Sequence, residues 1–193
     1  MKIIKYLVIG CFVTLSTVSF AKQSSKDVVS KKLELTNDFQ WVYFKGLSAP
    51  IPKDWNRFSK GDTYVSSVED IKEEGIFETG LTIQTFKNVQ EKYKAPASVA
   101  AISIVTDFKN DPNNKFLILE PKDIGDYKTI LLRYENSPKV AEAIIVHKFI
   151  ISNDKKSFVY VVTFESTKTK WDSYWKEKGE YIFKRINLYN EKN

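Results

Sequence analysis

Past residue 21 the chain contains no cysteine and no methionine, and it carries one histidine, His147. An exported chain of this composition has no disulfide to hold it, so its stability must come from a core. The missing thiols exclude a thiol nucleophile and a cysteine-ligated metal, and one histidine cannot make a His-rich zinc site. Glycine is scarce too, at seven in 193 residues. None of the seven falls in a Gly-x-Ser-x-Gly elbow or a Gly-rich phosphate loop, and no HExxH or DxDxDG run occurs. The excess of basic residues is spread thinly, with lysines and acids alternating, whereas nucleic-acid binders gather their basic residues into a stripe. There is no internal repeat.

What is present begins with a targeting pattern. Lys2 and Lys5 form a positive start, Tyr6 to Val18 an apolar run too short to cross a bilayer, and Ser19-Phe20-Ala21 a small-x-small cleavage site. Residues 1–21 therefore read as a secretory signal peptide, cleaved after Ala21. Val8-Ile9-Gly10-Cys11 offers a lipobox, through which Cys11 would carry lipid, but the apolar run continues well past it. Removing Lys2 and Lys5 lowers the formal charge of +6 by two. Residues 22–32 are polar and lysine-rich, as expected of a flexible tether. Residues 33–190 are expected to form a single domain, because about 170 residues suffice for one core.

The most apolar stretch is a hairpin. Ala143 to Ile151 and Ser157 to Phe164 are β-branched and aromatic, and Asn153-Asp154-Lys155 supplies turn residues between them. Ile145, Phe149 and Ile151 lie on one face of the first arm, Ile144, Val146 and Ile150 on the other, so both faces need a cover. Further strands are expected at 39–44, 64–68, 77–86, 115–120 and 127–134, with 47–51 continuing the first strand toward Pro50 and Pro52. These prolines place that segment at an edge or a strand end. Pro121 to Asp126 reads as a turn. Ala97 to Lys109 carries one apolar stripe and reads as a helix, with Pro96 at its start. Trp171, Trp175, Ile182, Ile186 and Tyr189 recur at helical spacing, which predicts an amphipathic helix of about five turns with Thr169 as N-cap. Its polar face mixes acids and bases, so it is expected to pack on the sheet rather than on a membrane. Short turns make the sheet largely antiparallel. The expected fold class is α/β (α+β), a three-layer sandwich with a helix covering each face of the sheet.

The Pro52-Lys53-Asp54-Trp55 turn, the Gly80-Leu81-Thr82-Ile83 strand, and Thr163-Phe164-Glu165 before a tryptophan-bearing terminal helix resemble the PsbP-like family, which includes exported bacterial proteins of the DcrB type. The resemblance runs from about Leu33 to Leu188. The chain departs from it at the charged segment 71–75 and at the extra strand 115–120. It implies an antiparallel sheet between helices and a non-enzymatic accessory or binding domain, and it brings no catalytic motif.

The residues themselves point the same way. Strand parity turns His147 inward, as a neutral, hydrogen-bonded histidine or at most a pH sensor. Glu69-Asp70 and Glu73-Glu74 read as solvated loop charges, and Asp107, Asp111 and Asn113 as turn chemistry after a helix. No catalytic, cofactor-binding or metal-binding residue is assigned, and no cofactor is expected. The functional expectation is an exported, non-enzymatic binding or accessory protein of the bacterial envelope. It would act through protein–protein contact, at an exposed strand edge or an aromatic surface near Trp41 and Trp55. The alternatives are a small-ligand carrier with a cavity between sheet and helix, and a carboxylate-dependent hydrolase. The partner is expected to be an envelope or secreted protein, without nucleic acid and without stable membrane insertion of the mature chain. The oligomeric state is left open.

Overall fold

The apolar hairpin forms the middle of the structure, a computed structural model that describes residues 35–71, 77–139 and 141–189. The signal peptide (1–21), the tether (22–32) and most of the charged segment, including Glu73-Glu74, lie outside the described residues.

In chain order the elements are β1 (Phe39–Phe44), β2 (Leu47–Pro52), β3 (Asn56–Lys60), β4 (Thr63–Ser67), β5 (Gly80–Lys87), α1 (Val89–Tyr93), α2 (Ala97–Asn110), β6 (Asn114–Ile124), β7 (Tyr127–Asn136), β8 (Ile144–Asn153) and β9 (Phe158–Thr167). A helical run over 171–183 follows, made of α3 (Trp171–Tyr174), a π-helical turn (Trp175–Gly179) and α4 (Glu180–Phe183), and then β10 (Asn187–Leu188). Seven strands make one sheet in the order β3-β4-β5-β9-β8-β7-β6, and β1-β2-β10 make a second. All their pairings are antiparallel.

The two faces of the large sheet are covered as the alternation along β8 requires. Val146 and Ile150 pack with Val159, Val161 and Leu132 under α1 and α2, through Val89, Ala97, Ala101 and Val105. On the opposite face Ile145 and Ile151 pack with Leu81, Ile83, Val162 and Phe164. There the cover is shared: Trp171 and Ile182 of the C-terminal helix lie beside Leu47, Ala49 and Ile51 of the small sheet. The sandwich therefore has its helix on each face, with a second sheet added to one layer. The hairpin also anchors α2, since Asp154 in its turn accepts hydrogen bonds from the Ser98 amide (2.7 Å) and the Ser98 hydroxyl (2.9 Å) at the start of the helix. That carboxylate satisfies one of the unpaired amides of the first turn.

Four expectations need correction. Leu47 to Ile51 does not continue β1; it turns back on it, because Lys45 (φ 47°) and Gly46 (φ 95°) both adopt the left-handed region that tight hairpin turns demand. Pro50 and Pro52 are tolerated because β10 pairs only with Leu47 and Ser48, which leaves one side of β2 unpaired at the prolines. β3 was not expected at all: its residues are mostly exposed and carry no alternation to read. The proposed turn at Pro121 is strand, since β6 is the last strand of the sheet and a proline there costs no ladder bond on its open side. Finally, the C-terminal helix ends at Phe183. Asn187 and Leu188 pair with β2 instead, and Ile186 and Tyr189 leave the helical stripe. Thr169 does not cap it; its hydroxyl donates to Glu142 at 2.6 Å.

Candidate functional site

Where the C-terminal helix stops short of the outer strands, a cleft of about 530 Å³ opens between α4 and the β6–β7 side of the sheet. Its apolar walls are Ile118, Leu131, Phe149 and Phe183. At its inner end stand His147, Arg133 and Trp175. Arg133 and His147 sit opposite each other on β7 and β8, and Arg133 Nε donates to His147 Nδ1 at 3.1 Å. That bond fixes the tautomer: Nδ1 accepts, so the imidazole proton resides on Nε2.

His147 is 3% exposed. Its ring lies 4.4 Å from Trp175 and 4.8 Å from Phe183, centroid to centroid. Burial, and next the charge of Arg133, push its pKa down to about 3. The histidine is thus a neutral acceptor under a helix, where strand parity placed it. The Arg133 guanidinium lies 4.4 Å from the Trp175 ring centroid and 5.1 Å from that of Trp171, the two indoles being stacked at 5.1 Å. Such cation–aromatic contact holds a guanidinium in place without neutralising it. Burial lowers the Arg133 pKa, and Glu180 works against that shift. No carboxylate lies within ion-pair distance of Arg133 among the described residues, while Glu180 is bound by Lys184 at 3.0 Å. Sequence reading singled out His147 but missed Arg133, whose only signal was its register opposite the histidine.

The wall beyond the cleft is an open edge. β6 pairs with β7 on one side only, and Leu117 (46%), Leu119 (46%) and Ile124 (51%) are exposed along it. Leu117 sits in a register shift between Phe116 and Ile118, which turns it out of the ladder. The aromatic surface expected near Trp41 and Trp55 does not exist as such. Trp55 is 5% exposed and packs near Phe164, where it caps the core; Trp41 alone is half-buried.

No protein-family model matches the chain, and no curated protein matches it in sequence. Solved structures do. It is similar to cyanobacterial PsbP (CyanoP) from Synechocystis sp. PCC 6803, with a TM-score of 0.50 and 11% identity, over 79% of this chain and 93% of that one. It is similar also to LpqN of Mycobacterium tuberculosis, involved in cell envelope biogenesis, with a TM-score of 0.50, 12% identity, and 80% and 93% coverage. The fold is PsbP-like. The resemblance carried by residues 52–55, 80–83 and 163–165 holds at that level. A protein from Bacteroides thetaiotaomicron is similar at a TM-score of 0.43 and 16% identity over 76% of this chain, which spans 46% of that protein's length.

Several other charged groups of this PsbP-like domain are held by contacts within the fold. On the α2 face Lys148 is buried, donates to the Thr163 hydroxyl at 2.9 Å and lies 4.7 Å from the Phe108 ring centroid. Burial lowers its pKa to about 8, with Glu165 opposing, and burial raises that of Glu165. Glu69 accepts from the Thr79 amide at 3.1 Å and faces Lys170 at 3.9 Å. Asp111 accepts from the Asn113 amide at 2.9 Å, a turn closed by an aspartate. No cluster of three or more metal-ligating side chains occurs among the described residues. No helix among them is long and apolar enough to cross a membrane.

Proposed function

We propose that this chain is an exported, non-enzymatic binding or accessory protein of the bacterial envelope, released by cleavage after Ala21, with its domain beginning near residue 33. It acts by protein–protein contact through the open edge of β6. The observation that carries this reading is an eleven-residue edge strand bearing three exposed large aliphatic side chains. An edge strand offers a row of unpaired backbone groups, and natural proteins usually blunt it. The opposite edge, β3, is short and carries Arg57 and Lys60. On β6 the blunting residues Glu120, Pro121 and Lys122 follow the two exposed leucines and Lys115 precedes them, so the segment from Phe116 to Leu119 is the part open to an added strand. The similarity of fold to LpqN, itself involved in envelope biogenesis, supports the envelope as the setting.

The cleft favours a second reading, the small-ligand carrier, since it lies between sheet and helix and is mostly apolar. The hydrolase reading has less support: Glu180 is the one carboxylate lining the cleft, and Lys184 holds it, whereas such hydrolases need two carboxyl groups facing each other across a substrate.

The test is capture of partners from the native envelope by the wild-type chain and by a Leu117→Lys/Leu119→Lys variant. Both substitutions are on exposed positions, so the variant is expected to melt within about 1 kcal/mol of the wild type and to lose the captured partner. A folded double variant that captures the same partners as the wild type would rule out the β6 edge.

A further inference from the structure

The cleft has an electrostatic property that its apolar walls alone would not produce. Two cations, Arg133 and Lys184, and one carboxylate, Glu180, line it. Lys184 and Glu180 neutralise each other at 3.0 Å, which leaves the charge of Arg133 over. Among the described residues the guanidinium makes one hydrogen bond, from Nε to His147, and its position against Trp175 and Trp171 is set by stacking. Its terminal nitrogens are therefore oriented but unpaired, and a planar guanidinium held this way matches a carboxylate with two parallel hydrogen bonds. Beside it Ile118, Leu131, Phe149 and Phe183 give an apolar trough.

We propose that this cleft binds one amphipathic monoanion, a carboxylate on an unbranched aliphatic chain, with the carboxylate on Arg133 and the chain along the trough. The proposal goes beyond protein contact at the β6 edge and stands on different residues. With Arg133, Lys184 and Glu180 the cleft carries one net positive charge, which matches a single negative charge better than a dianion such as a phosphate monoester. A cleft of about 530 Å³ is of the size that takes a small ligand. The part played by His147 is positional. It accepts from Nε, so it directs the other end of the guanidinium toward the ligand, and being neutral it adds no competing charge.

Decanoate, below its micellar concentration, is the probe. Titration into the full mature protein, followed by tryptophan emission and calorimetry, is expected to show saturable binding at one site. Decanol should bind at least ten-fold more weakly, and Arg133→Gln should weaken decanoate by a similar factor while leaving decanol unchanged. Because Arg133 also packs on two indoles, its variant can fail to fold. Glu180→Gln then decides, since Glu180 lines the cleft rim with a side chain 42% exposed and pairs with Lys184: removing its charge frees that lysine and should tighten decanoate several-fold and leave decanol alone. Absence of saturation in the wild type, equal binding of decanol and decanoate, or a Glu180→Gln affinity no tighter than wild type would each overturn the proposal. The Leu117→Lys/Leu119→Lys variant, which tests partner capture, is expected to bind decanoate normally, so the two readings fail separately.

Discussion

His147 and Lys148 are neighbours on β8 that face opposite sides of the sheet, and burial acts on both by disfavouring their charge. For His147 the consequence is a dependence of stability on pH. Its folded pKa, about 3, lies below the ordinary value of 6.5, so below pH 6.5 the unfolded chain binds a proton that the folded one refuses. Stability is complete above about pH 6.5 and declines as the pH falls toward 3, by at most about 1.4 kcal/mol per pH unit from this group. Between pH 6.5 and 5 the carboxylates held by ion pairs or hydrogen bonds contribute little, because the pKa values of Asp62, Glu135, Glu142, Asp154 and Glu180 are lowered and act only in more acid solution. Glu165, whose pKa burial raises, acts with the opposite sign. Urea denaturation across that window should show a steeper loss for the wild type than for His147→Gln, which keeps an acceptor for Arg133 but cannot take up a proton. Parallel curves would mean that the histidine does not titrate in the unfolded state differently from the folded one. Lys148 acts with the same sign in a more alkaline window: its depressed value, about 8 against 10.5, makes its burial a cost at neutral pH that is relieved as the pH rises from about 8.

At the scale of elements, the C-terminal helix is where the reading of the sequence was least complete. The stripe through Trp171, Trp175 and Ile182 was plain and did locate the cover of one sheet face. Nothing in it marked the π turn, within which Gly179 lies beneath the Trp175 ring. A methyl group at Gly179 would stand 2.4 Å from Trp175 Cε3 and 2.9 Å from Cζ3. The backbone there is helical (φ −57°), so alanine would be favoured locally by about 1 kcal/mol, and the indole decides the outcome. Trp175 is stacked on Trp171 and contacts Phe164, His147 and Arg133, so it cannot tilt without disturbing the inner wall of the cleft. Gly179→Ala is expected to destabilise by about 1–3 kcal/mol, as overpacking does, and to change the near-ultraviolet dichroism of the tryptophans. A variant as stable as the wild type with an unchanged spectrum would show that the ring has room to move. β3, β10 and the second half of β6 escaped notice for a related reason: short or exposed strands bury too little apolar surface to impose a period of two.

For the whole molecule, the hairpin, the two-faced sheet and the helix on each face were readable because burial on both sides leaves the same apolar mark in every central strand. The split into two sheets was not, since β2 looks like a prolongation of β1 until the left-handed pair at Lys45 and Gly46 is seen. The cleft was not readable either. It depends on where the last helix stops, and that stop is set by the pairing of Asn187 and Leu188 with β2. The pairing also ties the end of the described chain to its beginning: the Tyr189 amide donates to the Gly46 carbonyl at 3.0 Å, Tyr189 meets Tyr43 edge-on at 5.5 Å, and the Tyr160 hydroxyl donates to the Lys45 carbonyl at 2.7 Å beside the same turn. Deleting residues 187–193 is expected to lower the melting temperature by several degrees, from about 1–3 kcal/mol of lost hydrogen bonds and apolar cover, which calorimetry would measure. An unchanged melting temperature would make β10 an ornament of the small sheet rather than its closure.

The order of the strands in space has a further bearing on how the chain comes into being. β5 finds its inner neighbour in β9, and β2 finds its second neighbour in β10, so strands from the first half of the chain wait for the last third to arrive. A ribosome supplies residues at about 5–20 per second. For several seconds the early strands have only each other to pair with, and the two sheets are not yet closed. Late closure of this kind leaves one side of β5 and one side of β2 open until β9 and β10 have been made.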